Sequence, residues 1–265
     1  MNTSVPLDSP RQQLDALART RADLSGADVP VWWTGDVYVN APGEAYRHLF
    51  GFEGLNVARV VPTEDGYDLL SREIAFYQDP RTREVLDTWS NPWTGEEVRV
   101  CHVTNDPVNQ RWTLETRWGP FRVPTTRLGD RICFNMDIPL AYPSPLPVAE
   151  FPDHSADDTY RALELFQFFT SAGALADESL TSVPCELSWA RLSPWLPWMR
   201  MGDRPGGLVF HTRGVKLGSY DEVPETTRVQ IDAHYPEYAS APEAWSEPNE
   251  TSWTWFRRHL QGSPA

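Results

Sequence analysis

Apolar and polar residues alternate along most of this chain with the period of two that belongs to half-buried strands. Val29–Asn40 reads as a strand with Pro30 near its edge, and Asn56–Val61 and Tyr67–Gln78 flank a Glu64-Asp-Gly66 turn. Val85–Ser90 and Val98–Asn105 bracket Asn91-Pro-Trp-Thr-Gly95, a turn with glycine where positive φ is needed. Asn109–Thr116 and Gly119–Arg127 read as a hairpin around Arg117-Trp118-Gly119. Arg131–Pro139 puts Ile132, Phe134, Met136 and Ile138 on one face and Arg131, Cys133, Asn135 and Asp137 on the other. Glu164–Phe169 has partial helical spacing but fits a strand in this context. Val183–Leu192, Leu208–Lys216 and Thr226–Tyr235 complete the set.

Helical spacing is confined to a few places. Asp8-Ser-Pro10 is a capping start for an amphipathic helix over residues 10–24, carrying Leu14, Leu17, Ala18 and Leu24 and ended by Gly26. Pro42–Phe50, with Tyr46 and Leu49 as its stripe, has the composition of a short helix, and Thr251–Leu260 predicts another through Trp253, Phe256 and Leu260. About ten to twelve short strands joined by tight turns leave little room for crossover helices, so the pairing should be antiparallel. Such a meander hides its edges by closing or by stacking in two layers. The expected fold is mainly β, a lipocalin-like (calycin-type) barrel with N- and C-terminal helices; the alternative is a two-layer β-sandwich. The expected organisation is one β-rich domain over 1–265, with a helical arm at 1–27, a barrel over 28–240 and a tail over 241–265 carrying the last helix.

One stretch departs from the pattern. Between the strands ending at Leu192 and starting at Leu208 runs Ser193-Pro-Trp-Leu-Pro-Trp-Met-Arg-Met-Gly-Asp-Arg-Pro-Gly206, where a plain connection would be polar. A loop this aromatic must bury itself on its own sheet end or on a ligand. With 12 Trp, 11 Phe and 9 Tyr, an aromatic cavity for an apolar ligand is one reading and dense β packing the other.

Composition narrows the partners. A formal charge of −14 disfavours nucleic acid and anionic membranes. No apolar run is long enough to span a bilayer, and Met1–Asp8 lacks the basic and apolar regions of a signal peptide. Cys101, Cys133 and Cys185 are odd in number and unpaired in spacing, as in a reduced cytoplasmic protein. The expectation is therefore a cytoplasmic protein with a hydrophobic small-molecule ligand, compatible with a homodimer.

No nucleophile elbow, phosphate loop, zinc-protease helix or dinucleotide fingerprint occurs, so no cofactor is expected. His102, His211 and His234 lie mid-strand in this reading but lack metal-ligand spacing. His211 follows the tryptophan loop directly and is the first acid/base candidate, with Asp137, His102 and Glu73 beside it. Glu73 shares a face with Leu69, Ser71, Ala75 and Tyr77, where a carboxylate needs a reason. The ligand-binding candidates are Trp189, Trp195, Trp198, Met199, Trp93, Tyr142, Asn135 and Arg213, with Arg191 a further anchor for an anionic group.

The run Asn91-Pro-Trp-Thr-Gly-Glu96, then His102 and Asn105-Asp-Pro-Val-Asn109, then Ser193-Pro-Trp-Leu-Pro-Trp-Met with Met201-Gly-Asp-Arg-Pro-Gly206 and His211, resembles the bacterial and fungal domain-of-unknown-function family number 1838. The resemblance covers most of residues 30–240. It implies one domain in which the central loop matters, and no reaction. The functional expectation from the residues is a cofactor-independent cyclase, isomerase or dehydratase acting on a polyketide- or terpenoid-like metabolite. The alternatives are a carrier of such a ligand, or an interaction module docking through the Trp-Pro loop.

Overall fold

A computed structural model of the chain describes residues 5–262. Ten strands form one antiparallel sheet. In chain order they are β1 (Val29–Asn40), β2 (His48–Pro62), β3 (Gly66–Gln78), β4 (Val103–Asn105), β5 (Gln110–Thr113), β6 (Thr125–Leu128), β7 (Arg131–Pro143), β8 (Thr159–Ser171), β9 (Glu186–Ser193) and β10 (Gly207–Lys216). Their spatial order is β6-β7-β8-β9-β10-β1-β2-β3, with β4 and β5 sharing the free edge of β3. No ladder joins the two ends of this order among the described residues. The long β10–β1 pairing, Val31↔Lys216 through Asn40↔Gly207, brings the last strand against the first and places both mid-sheet.

The sheet is covered differently on its two faces. One face carries Phe50, Phe52, Tyr77, Phe134, Trp189 and Phe210 of the largest core cluster. α1 (Pro10–Arg21) packs at one end of this face. Ser9 caps α1, accepting from the Gln12 N–H while Gln12 reaches back, and Pro10 sits in its first turn. Leu14, Leu17 and Ala18 are the buried stripe, as expected; the helix stops at Arg21, short of Leu24. On the other face, α3 (Glu225–His234) lies over Leu55, Val57, Ile74 and Phe76 of β2 and β3. α2 (Ala172–Ala176) is a single turn after β8, and α4 (Ser252–Leu260) starts from a Thr251 cap with Trp253 and Phe256 buried.

The Trp-Pro stretch lies against the end of the sheet. Trp198 packs on Phe50, Tyr77 and Trp89 at 5.5–6.0 Å between ring centres. The Asn91 amide donates to the Met199 carbonyl (2.8 Å), tying the two loops together. Trp195, Trp198 and Met199 are buried in this packing.

Two elements differ from the sequence expectation. Thr226–Tyr235 is not a strand but α3: Pro224 precedes the first turn, and Thr227 and Ile231, one helical turn apart, are the buried pair while Val229 is exposed. Pro42–Phe50 forms no helix, because β2 begins at His48 and Leu49, Phe50 and Phe52 join the aromatic core. The expected 109–127 hairpin also divides. β5 pairs with β3, a two-residue hairpin spans Glu115–Thr116 and Gly119–Pro120, and β6 pairs with β7.

Candidate functional site

One face of the sheet lines a cavity of about 260 Å³. Alternation decides what faces it. Even positions of β7 and β8 point in, giving Met136, Ile138, Leu140 and Tyr142, then Glu164, Phe166 and Phe168. Odd positions of β9, β1 and β3 supply Leu187, Trp189, Arg191, Val31, Trp33 and Glu73. Asn56 of β2 pairs in register with Glu73, and Asn105 of β4 flanks Glu73 on its other side. Gly54 is required here: a Cβ would lie 2.6 Å from Trp33 Cζ2 and from Ala75 Cβ, so only glycine lets the Trp33 ring lie across β2. Thr20 and Arg21 of α1 and Trp253 of α4 complete the wall.

The polar part of the wall is a compact cluster. Arg191 Nη1 lies 3.2 Å from Glu164 Oε1, its register partner on β8, and Arg191 Nη2 donates to the Tyr160 hydroxyl. Burial presses the Arg191 pKa down, but Tyr160 and Glu164 outweigh it and hold the guanidinium charged. The Tyr160 ring stacks on Tyr142 (4.9 Å) and meets Trp253 edge-on (4.8 Å). Burial pushes the Tyr142 phenol up to about 12.

Glu73 is the group out of balance. Burial, and then the Glu164 charge, push its carboxyl up to about 7, against the pull of Arg191 and Asn105. A carboxyl poised there exchanges a proton in either direction near neutrality. Cys185, also in the wall, is pushed up to about 12 by burial and stays a thiol.

Of the residues singled out in the sequence, the cavity gathers Glu73, Trp189, Tyr142 and Arg191. His211, Arg213, Asp137 and Asn135 fall on the other phase of β10 and β7. His211, Arg213 and Asp137 are exposed, and the Asn135 side chain bonds its outer-face neighbours Thr126, Cys133 and Gln167. Their inward neighbours are Thr212 and Met136. His102 accepts the Tyr77 backbone N–H on Nδ1 (3.2 Å) and stacks on that ring; burial takes it down to about 4, a neutral ring with a structural bond. Trp195, Trp198 and Met199 pack the sheet end and do not line this cavity. Trp93 lies on Arg47 (4.6 Å) and Arg204 (5.3 Å) and donates to Glu44, outside the cavity. His234 is exposed on α3, away from His102 and His211. Among the described residues, no three His, Cys, Asp or Glu side chains come together as a metal set.

Sequence reasoning missed Glu164, Tyr160, Asn105 and Trp253. For Glu164 a signal existed, since it is in phase with Phe166 and Phe168, so a carboxylate belongs to the aromatic face of β8. Trp253 reaches the cavity from a distant helix and has no local signal.

These features define a mainly β protein whose antiparallel sheet holds a mixed aromatic and ionisable cavity. Over residues 26–260 the chain matches the family described as Protein of unknown function (DUF1838), and it belongs to that family. No curated protein matches the chain. Among the described residues, no helix is long and apolar enough to cross a membrane.

Proposed function

We propose that the protein is a cofactor-independent enzyme that moves protons on an apolar small molecule held in this cavity, by isomerisation, cyclisation or dehydration. In this reading the curled sheet serves as a lipocalin-like barrel, and the aromatic wall orients the substrate and keeps water from it. Glu73 is the general acid/base. Arg191, fixed by Glu164 and Tyr160, hydrogen-bonds the substrate oxygen on which negative charge develops. The observation that carries the reading is a carboxyl with a pKa near 7 in an apolar cavity, facing a guanidinium already held by its own carboxylate. A packing residue would have neither the raised pKa nor the facing cation.

The test is incubation of the pure protein with the apolar metabolite extract of its host, followed by mass spectrometry of bound and free species. The wild type should deplete one species and release an isomer of it, or a product lighter by one water. Glu73→Gln should bind the same species and leave it unchanged. Full turnover by Glu73→Gln would remove Glu73 from the chemistry. Tight binding with no conversion by the wild type would make the protein a carrier.

A further inference from the structure

The ionisable groups in the cavity wall can be paired off one by one. Glu164 has Arg191 at 3.2 Å. Glu250 has Arg258. Lys216 donates to the Arg19 carbonyl (2.7 Å), the Ala22 carbonyl (3.2 Å) and Ser182 Oγ (2.9 Å), so it caps the end of α1. Burial lowers its pKa to about 8, which leaves it mostly charged at neutrality. Glu73, pushed up to about 7 for the reasons given above, is only about half ionised at neutrality. Arg21 remains.

Its guanidinium lies between Trp112 (5.3 Å) and Phe168 (5.1 Å) and makes one hydrogen bond, 3.1 Å to the neutral amide oxygen of Gln110. Among the described residues no carboxylate lies within ion-pair distance of it. Burial pushes its pKa down to about 10, so it keeps its charge, with most of its five N–H donors unused. The end of α1 does not explain the charge. Lys216 already serves the last carbonyls, and Arg19 turns away to the carbonyls of Leu175, Asp177 and Leu180. A part-buried cation held between two aromatic rings, with no anion beside it, carries an uncompensated desolvation cost. Yet a chain with a formal charge of −14 has placed two cations at this end of the cavity.

We infer that the molecule bound in the cavity is an apolar monocarboxylate, its carboxylate paired with the Arg21 guanidinium at the α1 end and its apolar body running along Phe168 and Phe166 toward Glu73. This rests on the reading of the cavity as a small-molecule site. Size and spacing agree. Gln110, which Arg21 bonds, pairs in register with Leu69 of β3, and Glu73 is four residues further along that strand. At roughly 3.3 Å per residue the two levels are about 13 Å apart. A cavity of about 150 Å³ holds one benzene ring, so the 260 Å³ here suits about ten to twelve heavy atoms. An alkanoate or arylalkanoate of that size spans the gap, with the carbon that loses its proton far from the carboxylate. The anchor group and the reacting group are then separate parts of the substrate.

The test is calorimetric titration of the full chain with decanoate and phenylbutanoate, each against its neutral amide, decanamide and phenylbutanamide. The acids should bind the wild type at least about tenfold more tightly than the amides. Arg21→Gln, which keeps a donor and removes the charge, should weaken the acids by about 10- to 100-fold and shift the amides by no more than about threefold. A melting curve checks that the variant is folded, and the acid–amide comparison in the wild type needs no variant. Equal affinity for acid and amide, acids that do not bind, or acids indifferent to Arg21→Gln would each overturn the inference. The two proposals fail separately. Amide preference with a Glu73-dependent conversion removes the carboxylate anchor and keeps the enzyme. Acid preference without conversion removes the enzyme and keeps the anchor.

Discussion

Two glutamates on neighbouring strands, Glu53 of β2 and Glu73 of β3, are both withdrawn from solvent, on opposite faces of the sheet. Glu53 faces α3 and is saturated. Trp32 Nε1 (3.1 Å), Thr226 Oγ1 (3.0 Å) and the Thr227 hydroxyl donate to one oxygen, and Gln78 Nε2 (2.9 Å) donates to the other. The first turn of α3 adds the favourable end of its dipole. Glu73 faces the cavity, shares its space with a second carboxylate, and is pushed up to about 7. A carboxylate given four donors is a rivet. A carboxyl given apolar walls, one like charge and a cation engaged elsewhere is held ready to change its protonation state. Burial alone does not separate a fixed carboxylate from one that can change its protonation state; the donor count around the buried group does.

The largest effect should come from breaking the saturated member. Glu53→Ala leaves an indole N–H, an amide and two threonine hydroxyls without their acceptor and frees α3 from the sheet. The expected loss is about 3–5 kcal/mol, or roughly 10 °C in melting temperature for a chain of this size. Calorimetry measures it, and a loss below about 1 kcal/mol would mean the four bonds are not made together. The same experiment on the unsaturated member should go the other way. The Glu73 pKa in the fold lies above its ordinary 4.5, so the folded state binds the extra proton. Its stabilising contribution is complete below about 4.5 and is lost as pH rises through about 7. Glu73→Gln should therefore match the wild type at about pH 4 and exceed it by up to about 3 kcal/mol at about pH 8. Urea unfolding at the two pH values decides it. A variant less stable than the wild type at pH 8 would place Glu73 with Glu53 as a structural group. Activity should run opposite to stability, falling by about 10²- to 10⁴-fold in Glu73→Gln if the carboxyl is the acid/base.

The same contrast explains what could be read from the sequence. Glu73 was legible because Leu69, Ser71, Ala75 and Tyr77 fix its phase, and a lone carboxylate on that stripe has to answer for itself. Trp189 and Tyr142 were singled out by side-chain chemistry alone, Tyr142 beyond the strand that the alternation ends at Pro139. Asp137 looks similar as a residue type, but the alternation of Ile132, Phe134 and Met136 already assigns it to the other face, where it is exposed. His211 was drawn in by closeness in sequence to the tryptophan loop, yet a period of two gives the inward place to Thr212. α3 was misread because Val229, Ile231 and Ala233 alternate as well as Thr227 and Ile231 repeat. Only the surface it covers, Leu55, Ile74 and Phe76 with Glu53 at its first turn, decides between the periods. Arg21 and Trp253 come from helices at opposite ends of the chain. Their meeting in one cavity is a matter of tertiary packing, which no local pattern encodes.

The finest test leaves both glutamates in place and alters only what surrounds Glu73. Glu164 affects it in two ways: its charge disfavours a second carboxylate nearby, and it occupies the Arg191 guanidinium at 3.2 Å. Glu164→Gln removes the repulsion and frees the cation, and both changes favour ionised Glu73. Its midpoint should fall from about 7 by about one unit, followed as the carboxyl carbon resonance in a pH titration. The acid limb of any activity profile should move with it. Glu186→Gln is the matched control. Glu186 also pairs with an arginine, Arg131 at 2.9 Å, but in open solvent on the outer surface. Solvent screens such a pair, so that substitution should leave the midpoint where it is. A midpoint that rises in Glu164→Gln, or moves as far in Glu186→Gln, would mean that the cavity pair does not tune Glu73, and burial alone would then have to account for its raised pKa.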